Sequence, residues 1–248
     1  MKKSRVIFTI VVLLLIVASF VFAKVFNDLK KENKIKNEIK EIVKVIGTEN
    51  IDDDGVSAIL ERRIYEKGNY AIVEDSIKNY YHDLYSSQKN ITFLMDEDNF
   101  STYLDIKNIK EDGPTFTKSV SNLQTTKAQL NDKYTEFKNQ VTNDSLKVSY
   151  IYNKKVDSYY KNLYLEFINE YTPSTLEQDM ETKYNNTLKL IDLYNEAFVF
   201  LTANKAHWKI TDDVLTFDDT VLYESYKNIT DKIDKLQTKN TKATEQTS

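Results

Sequence analysis

Apolar residues follow two regimes along this chain. From Ile7 to Ala23 they form an uncharged, mostly apolar run of 17 residues, which Val25 and Phe26 extend past Lys24. Beyond it they recur at alternating spacings of three and four, the period of one face of a helix. Ile35, Ile39, Ile42 and Ile46 draw a coiled-coil-like seam on a charged rod, so residues 24–46 are expected to continue the first helix. Gly47 to Gly55 is a break. Helix is predicted again from Val56 to about Ser87, with Tyr70, Val73, Ile77, Tyr81 and Leu84 on one face and Gly68-Asn69 as a point where it can break. Residues 91–113 read as irregular or short-helical and end at Asp112-Gly113-Pro114.

The clearest pattern follows. Phe116, Val120, Leu123, Lys127, Leu130, Tyr134, Phe137 and Val141 alternate spacings of four and three without a slip. Lys127 is their one polar member and is expected to face the bundle with its ammonium carried out to water. Pro114 is expected in the first turn of this helix, where its missing N–H is harmless. A second long helix is predicted from about Ser145, capped by Asn143-Asp144-Ser145, to Tyr171, through Tyr152, Val156, Tyr159, Leu163 and Phe167. Pro173 ends it. A third runs from about Ser174 to Ala203 through Met180, Tyr184, Ile191, Tyr194, Phe198 and Leu201. Three such helices, each roughly 42 Å long at ~1.5 Å per residue, joined by short connections, should pack up-down-up.

One β signal interrupts the helical pattern. A two-residue turn at Asp212-Asp213 pairs Thr211 with Val214, Ile210 with Leu215 and Trp208 with Phe217, which puts four large apolar side chains on one face. A last helix from about Asp219 carries Leu222, Tyr226, Ile229, Ile233 and Leu236. The fold class expected is therefore all-α: an antiparallel bundle of long helices with one small β-hairpin, after an N-terminal transmembrane helix. Its parts are a cytoplasmic N-terminus (1–6), a transmembrane signal-anchor (7–26), a helical stalk and linker (27–55), an extracytoplasmic bundle (56–236, hairpin near 207–217) and a disordered polar tail (237–248).

Charge supports that placement. Lys2, Lys3 and Arg5 precede the apolar run and should stay in the cytoplasm, although Lys30 and Lys31 beyond it reduce the asymmetry. The competing reading is a cleaved signal peptide ending at Val21-Phe22-Ala23. The length of the run and the helix that continues from it favour an anchor, and in either case the remainder leaves the cytoplasm. The net charge is −4 overall, and without those three N-terminal cations 31 basic residues face 38 acidic ones. That argues against a nucleic-acid surface, which needs a basic field. With no cysteine the chain has no disulfide, thiolate or cysteine-ligated metal, and no lipidated N-terminal cysteine. Only four glycines and two prolines punctuate it, which favours helix. The wealth of Lys, Asn, Ile, Tyr and Asp is what AT-rich codons give and is read as a low-GC bacterium. The sequons at Asn90, Asn99, Asn143, Asn185 and Asn228 then reflect asparagine content alone.

Few residues offer chemistry. The segment from Asn50 to Glu61 resembles an EF-hand calcium loop: Asn50, Asp52 and Asp54 supply oxygens at positions 1, 3 and 5, Gly55 the sharp turn, Val56 a carbonyl and Glu61 the last carboxylate. It departs from the pattern with Asn50 in place of Asp and Ser57 in place of an aliphatic residue, and Gly47 breaks the entering helix early. The plainer reading is a loop whose aspartates favour the start of the next helix. His82 and His207 are the only histidines, and neither sits in a Glu-x-x-His or paired-His pattern. Tyr134, Tyr159 and Tyr184 read as core residues with hydroxyls at the bundle edge, the alternative being a binding surface of paired aromatics such as Tyr159-Tyr160. No catalytic residue and no cofactor other than calcium is called for. The function expected is non-enzymatic: an envelope protein held in the lipid bilayer by residues 7–26 that binds another envelope protein or a wall polymer. A sensor or accessory subunit of a membrane complex is the second reading, and a wall-glycan hydrolase using paired carboxylates the third.

Overall fold

The computed structural model describes the backbone of residues 2–47 and 53–245, and the side chains of residues 17, 19–47 and 53–238. The described chain is mostly helical. In order come α1 (Lys2–Ile46), α2 (Asp53–Glu61), α3 (Asn69–Met95), the short α4 (Asp98–Ser101) and α5 (Ile106–Asp112), α6 (Thr117–Thr142), α7 (Asp144–Tyr152), α8 (Ser158–Tyr171) and α9 (Leu176–Ala203), then β1 (Trp208–Thr211), β2 (Val214–Phe217) and α10 (Thr220–Glu245). They form two compact units. Of the described residues, unit 1 holds 2–47, 53–81 and 148–171, and unit 2 holds 82–147 and 172–245.

In unit 1 the isoleucine seam of α1 is core. Ile35, Ile39, Ile42 and Ile46 are at most 4% exposed, covered by α2 and α8. The helix predicted over residues 56–87 is broken: α2 ends at Glu61, and Gly68, at φ 89, turns the chain into α3 in a conformation that costs a side chain strain. Tyr70, Val73, Ile77 and Tyr81 on α3 are buried as their spacing requires.

In unit 2 the α6 seam packs on α9. Lys127 meets Asp192, Tyr134 stacks on Tyr184 with ring centroids 4.0 Å apart, and Lys138 reaches Glu177, so the two helices are antiparallel. Helix α10 crosses back along α9, with Tyr226 against Phe200 and Gln237 near Tyr194. Helix α6 starts later than Pro114. The Asp112 carboxylate accepts the N–H groups of Lys118 (3.1 Å) and Ser119 (2.7 Å), capping a helix that begins at Thr117. Burial raises the Asp112 pKa, but the hydrogen bonds from Ser119 and Lys118 outweigh it and hold the carboxyl below its usual value. The hairpin has the predicted register at every pair, and both turn residues, Asp212 and Asp213, take the left-handed conformation (φ 50 and 58) of a tight two-residue turn.

One predicted helix fails. The second long helix, from about Ser145 to Tyr171, is two helices, α7 and α8, separated by residues 153–157. The polar run Asn153-Lys154-Lys155 offers no side chain to bury, so nothing offsets the entropy of ordering it as helix. The buried face of α7 is Ile151 rather than Tyr152, which is 65% exposed, and α8 buries Leu163, Tyr164, Phe167 and Ile168. At the other end of the chain, α10 continues past Leu236 to Glu245, and the rest of the polar tail lies outside the described residues.

Candidate functional site

The residues singled out for chemistry are scattered. Of the calcium-loop candidates, Asn50 and Asp52 lie outside the described residues, while Asp54, Val56 and Glu61 all sit on α2. A continuous helix separates Asp54 from Glu61 by about 10 Å along its axis at ~1.5 Å per residue. Among the described residues no group of three or more His, Asp or Glu side chains is placed to hold a metal ion. His82 and His207 are exposed beside Asp83 (3.1 Å) and Asp218 (3.2 Å). Tyr134 and Tyr184 stack on one another, and the Tyr184 hydroxyl donates to Asn131 at 2.6 Å. Lys127 carries its ammonium to Asp192 at 2.5 Å, with both side chains well exposed.

The densest charge cluster was not visible in the sequence. Inside unit 1 the Lys78 ammonium lies 3.0 Å from Glu38 and 2.9 Å from Glu74, with all three side chains at most 6% exposed. Lys78 also donates to the carbonyl of Arg62, so its three donors are all used. The Arg62 guanidinium binds Glu38 and, at 2.6 Å, Glu41. Glu74 accepts the backbone N–H groups of Ile64 (2.8 Å) and Tyr65 (2.9 Å). Burial raises the Glu38 pKa, and the hydrogen bonds from Arg62 and Lys78 more than reverse it, so the carboxyl titrates below its ordinary range. The cluster ties α1, the segment after α2, and α3 together. Its groups spend their hydrogen bonds on one another, which is the chemistry of a clasp. One local trace of it exists in the sequence: Glu74 and Lys78 are four apart, acid first, on the face of α3 that also carries Tyr70 and Ile77.

A second group lies on α1 ahead of the isoleucine seam. Val17, Phe20, Val21, Phe22, Val25, Phe26 and Leu29 on α1 are each more than half exposed. At ~100° per residue they span about 240° of the helix circumference. One turn further along, Tyr159 donates its hydroxyl to the Glu32 carboxylate, and Tyr160 packs edge-on against Tyr70 at 5.2 Å. The bond to Glu32, then burial, push the Tyr159 phenol up to about 12, so it stays a protonated donor at neutral pH. In unit 2 a shallow depression of about 400 Å³ lies between Ser87, Asn90 and Gln140.

Residues 7–16 of the expected transmembrane segment lie outside the residues whose side chains are described, and among the described residues no helix is long and apolar enough to cross a membrane. No family model, no curated protein and no solved structure matches this chain.

Proposed function

We propose that this chain is a membrane-anchored protein of a bacterial envelope, whose helical units stand outside the membrane as a non-catalytic binding or structural component. The observation that carries the reading is the exposed apolar half of α1. Leaving seven large apolar side chains in water costs on the order of 10 kcal/mol relative to burying them. A protein partner covers one stripe of a helix, whereas apolar side chains over most of the circumference suit a surrounding lipid phase. This stretch continues an apolar run that begins at Ile7, with Lys2, Lys3 and Arg5 ahead of it. The whole run, residues 7–26, is roughly 30 Å long at ~1.5 Å per residue, the thickness of a bilayer's hydrocarbon core.

The partner of the exposed helical units is an envelope protein or a wall polymer, and long amphipathic helices with tyrosine-rich edges suit either. Fractionation tests the reading. The full-length protein should stay in the membrane pellet through carbonate extraction with its N-terminal residues intact, and its helical units should be digested by protease added outside the cell. A soluble product beginning at Lys24 would replace the anchor with a cleaved signal. Capture of envelope proteins and purified wall material on the purified protein then identifies the partner.

A further inference from the structure

We propose that the end of unit 1 next to the exposed stripe of α1 is a docking surface for the anionic headgroup layer of a bilayer. The inference rests on the anchored reading above and deepens it, because it assigns the lipid contact to the folded part of the chain as well as to the apolar helix.

Three segments of unit 1 converge on one short stretch of α1. The Tyr65 hydroxyl donates to the carbonyl of Lys31 at 3.1 Å, the Tyr70 hydroxyl lies 3.5 Å from the carbonyl of Asp28, and Tyr159 donates to Glu32. Glu32 is about 5 Å further along the axis than Leu29, the last exposed apolar residue, at ~1.5 Å per residue. Helices α3 and α8 leave this level in the direction of α1: Lys78 of α3 meets Glu38, while Phe167 and Tyr171 of α8 lie under Lys36 and Lys40. The turns that precede the two helices, residues 66–68 and 153–157, therefore lie on the side toward Leu29 and Phe26. Two loops and a cluster of tyrosines form the end of unit 1 at the level where the apolar stripe stops.

Its chemistry is that of a membrane–water interface. Tyrosine, with an apolar ring and a polar tip, concentrates at the headgroup level of membrane proteins. Tyr159 is 50% exposed here. Lys67, Lys154 and Lys155 are exposed on the two turns, and Lys24 and Lys30 are exposed on α1. With Lys31 these make six cations against Asp28, Glu32, Glu66 and Asp157, a local excess of two positive charges in a chain whose net charge is −4, Lys24 reaching the headgroups by extending its ammonium from the end of the apolar run. A basic patch beside an apolar anchor is attracted to anionic lipid within a Debye length of the surface. Lys30 and Lys31, which stand against the positive-inside asymmetry, acquire a role on the outer headgroups.

The chain has no cysteine, so single labels report position directly. Full-length protein carrying a fluorophore at Asn153→Cys or at Val17→Cys is reconstituted in phosphatidylcholine vesicles, with or without a third of phosphatidylglycerol. Nitroxides on the headgroups or the acyl chains act as quenchers. The label at position 17 should be quenched from the acyl chains in both lipids. The label at position 153 should be quenched from the headgroups about threefold more strongly in the anionic vesicles. That difference should vanish in high salt and in the Lys67→Glu, Lys154→Glu variant, because the attraction is screened charge. If position 17 is quenched and position 153 is not, the docking surface is wrong and the anchor stands. If neither is quenched, the anchored reading fails and takes the docking surface with it.

Discussion

Helix α1 presents opposite surfaces along its length. Between Val17 and Leu29 its large apolar side chains are exposed, and from Ile35 to Ile46 they are buried. The more apolar half is the exposed one. The difference lies in the pattern. Isoleucines spaced four, three and four apart make a narrow stripe that α2 and α8 can cover together, with Lys40, Glu41 and Lys44 left in water and Glu38 buried in the clasp. In the first half apolar residues occupy most of the circumference, more than neighbouring helices in one small unit can reach. Periodicity lets an apolar helix become part of a protein core, and under the anchored reading proposed above continuous apolarity assigns it to lipid.

The largest effect that can sharpen this contrast lies at the clasp holding the buried half. Replacing Lys78 with methionine leaves Glu74 buried without a cation and Glu38 with Arg62 alone, and should cost about 3–5 kcal/mol in chemical denaturation. A loss below about 1 kcal/mol would mean that water reaches the cluster. Next comes a direct comparison of the two halves. Ile39→Ala should destabilise unit 1 by about 3 kcal/mol through lost burial and the cavity left behind. Phe22→Ala, in the exposed half, should leave the melting of the helical units within about 0.5 kcal/mol of the parent. Equal costs at the two positions would erase the distinction drawn here.

The clasp also carries a pH signature of smaller size. The Glu38 pKa is lowered in the folded chain, so the stability this residue contributes is complete above its ordinary value of 4.5 and is lost as the pH falls through the folded value. Acid unfolding followed by circular dichroism should show that loss below about pH 4.5, and Glu38→Gln should remove it while lowering stability at neutral pH. An unchanged acid limb in that variant would place the titrating group elsewhere. The smallest effect belongs to Lys127. Its partner Asp192 is 63% exposed, so the pair is a surface one. Lys127→Leu should change stability by less than about 1 kcal/mol. A change of several kcal/mol, or a new oligomer on sedimentation, would contradict the edge position.

How far the sequence could be read follows from which interactions are local. The hairpin was legible pair by pair because alternation and a two-residue turn fix register within ten residues, Trp208 to Phe217. The α6 seam was legible because one period runs unbroken from Phe116 to Val141. The α7–α8 break was not, since Tyr152, Val156 and Tyr159 keep helical spacing across a polar segment that the fold does not bury. Glu38, Arg62 and Lys78 could not be linked because their contacts span 24 residues (Glu38 to Arg62) and 16 residues (Arg62 to Lys78), and only a packed structure brings such positions together. For the same reason the sequence does not show the end of unit 1 at Tyr65, Tyr70 and Tyr159, beyond the paired aromatics Tyr159-Tyr160.

The first half of α1 is proposed to lie in lipid while the second half belongs to a folded unit in water, and cysteine accessibility in intact cells tests this most directly. Ser19→Cys and Lys44→Cys are made singly in the cysteine-free full-length chain and exposed to a membrane-impermeant maleimide. Lys44→Cys should label in intact cells, and Ser19→Cys should label only after detergent dissolves the membrane. Labelling of Ser19→Cys in intact cells at the rate of Lys44→Cys would contradict the account.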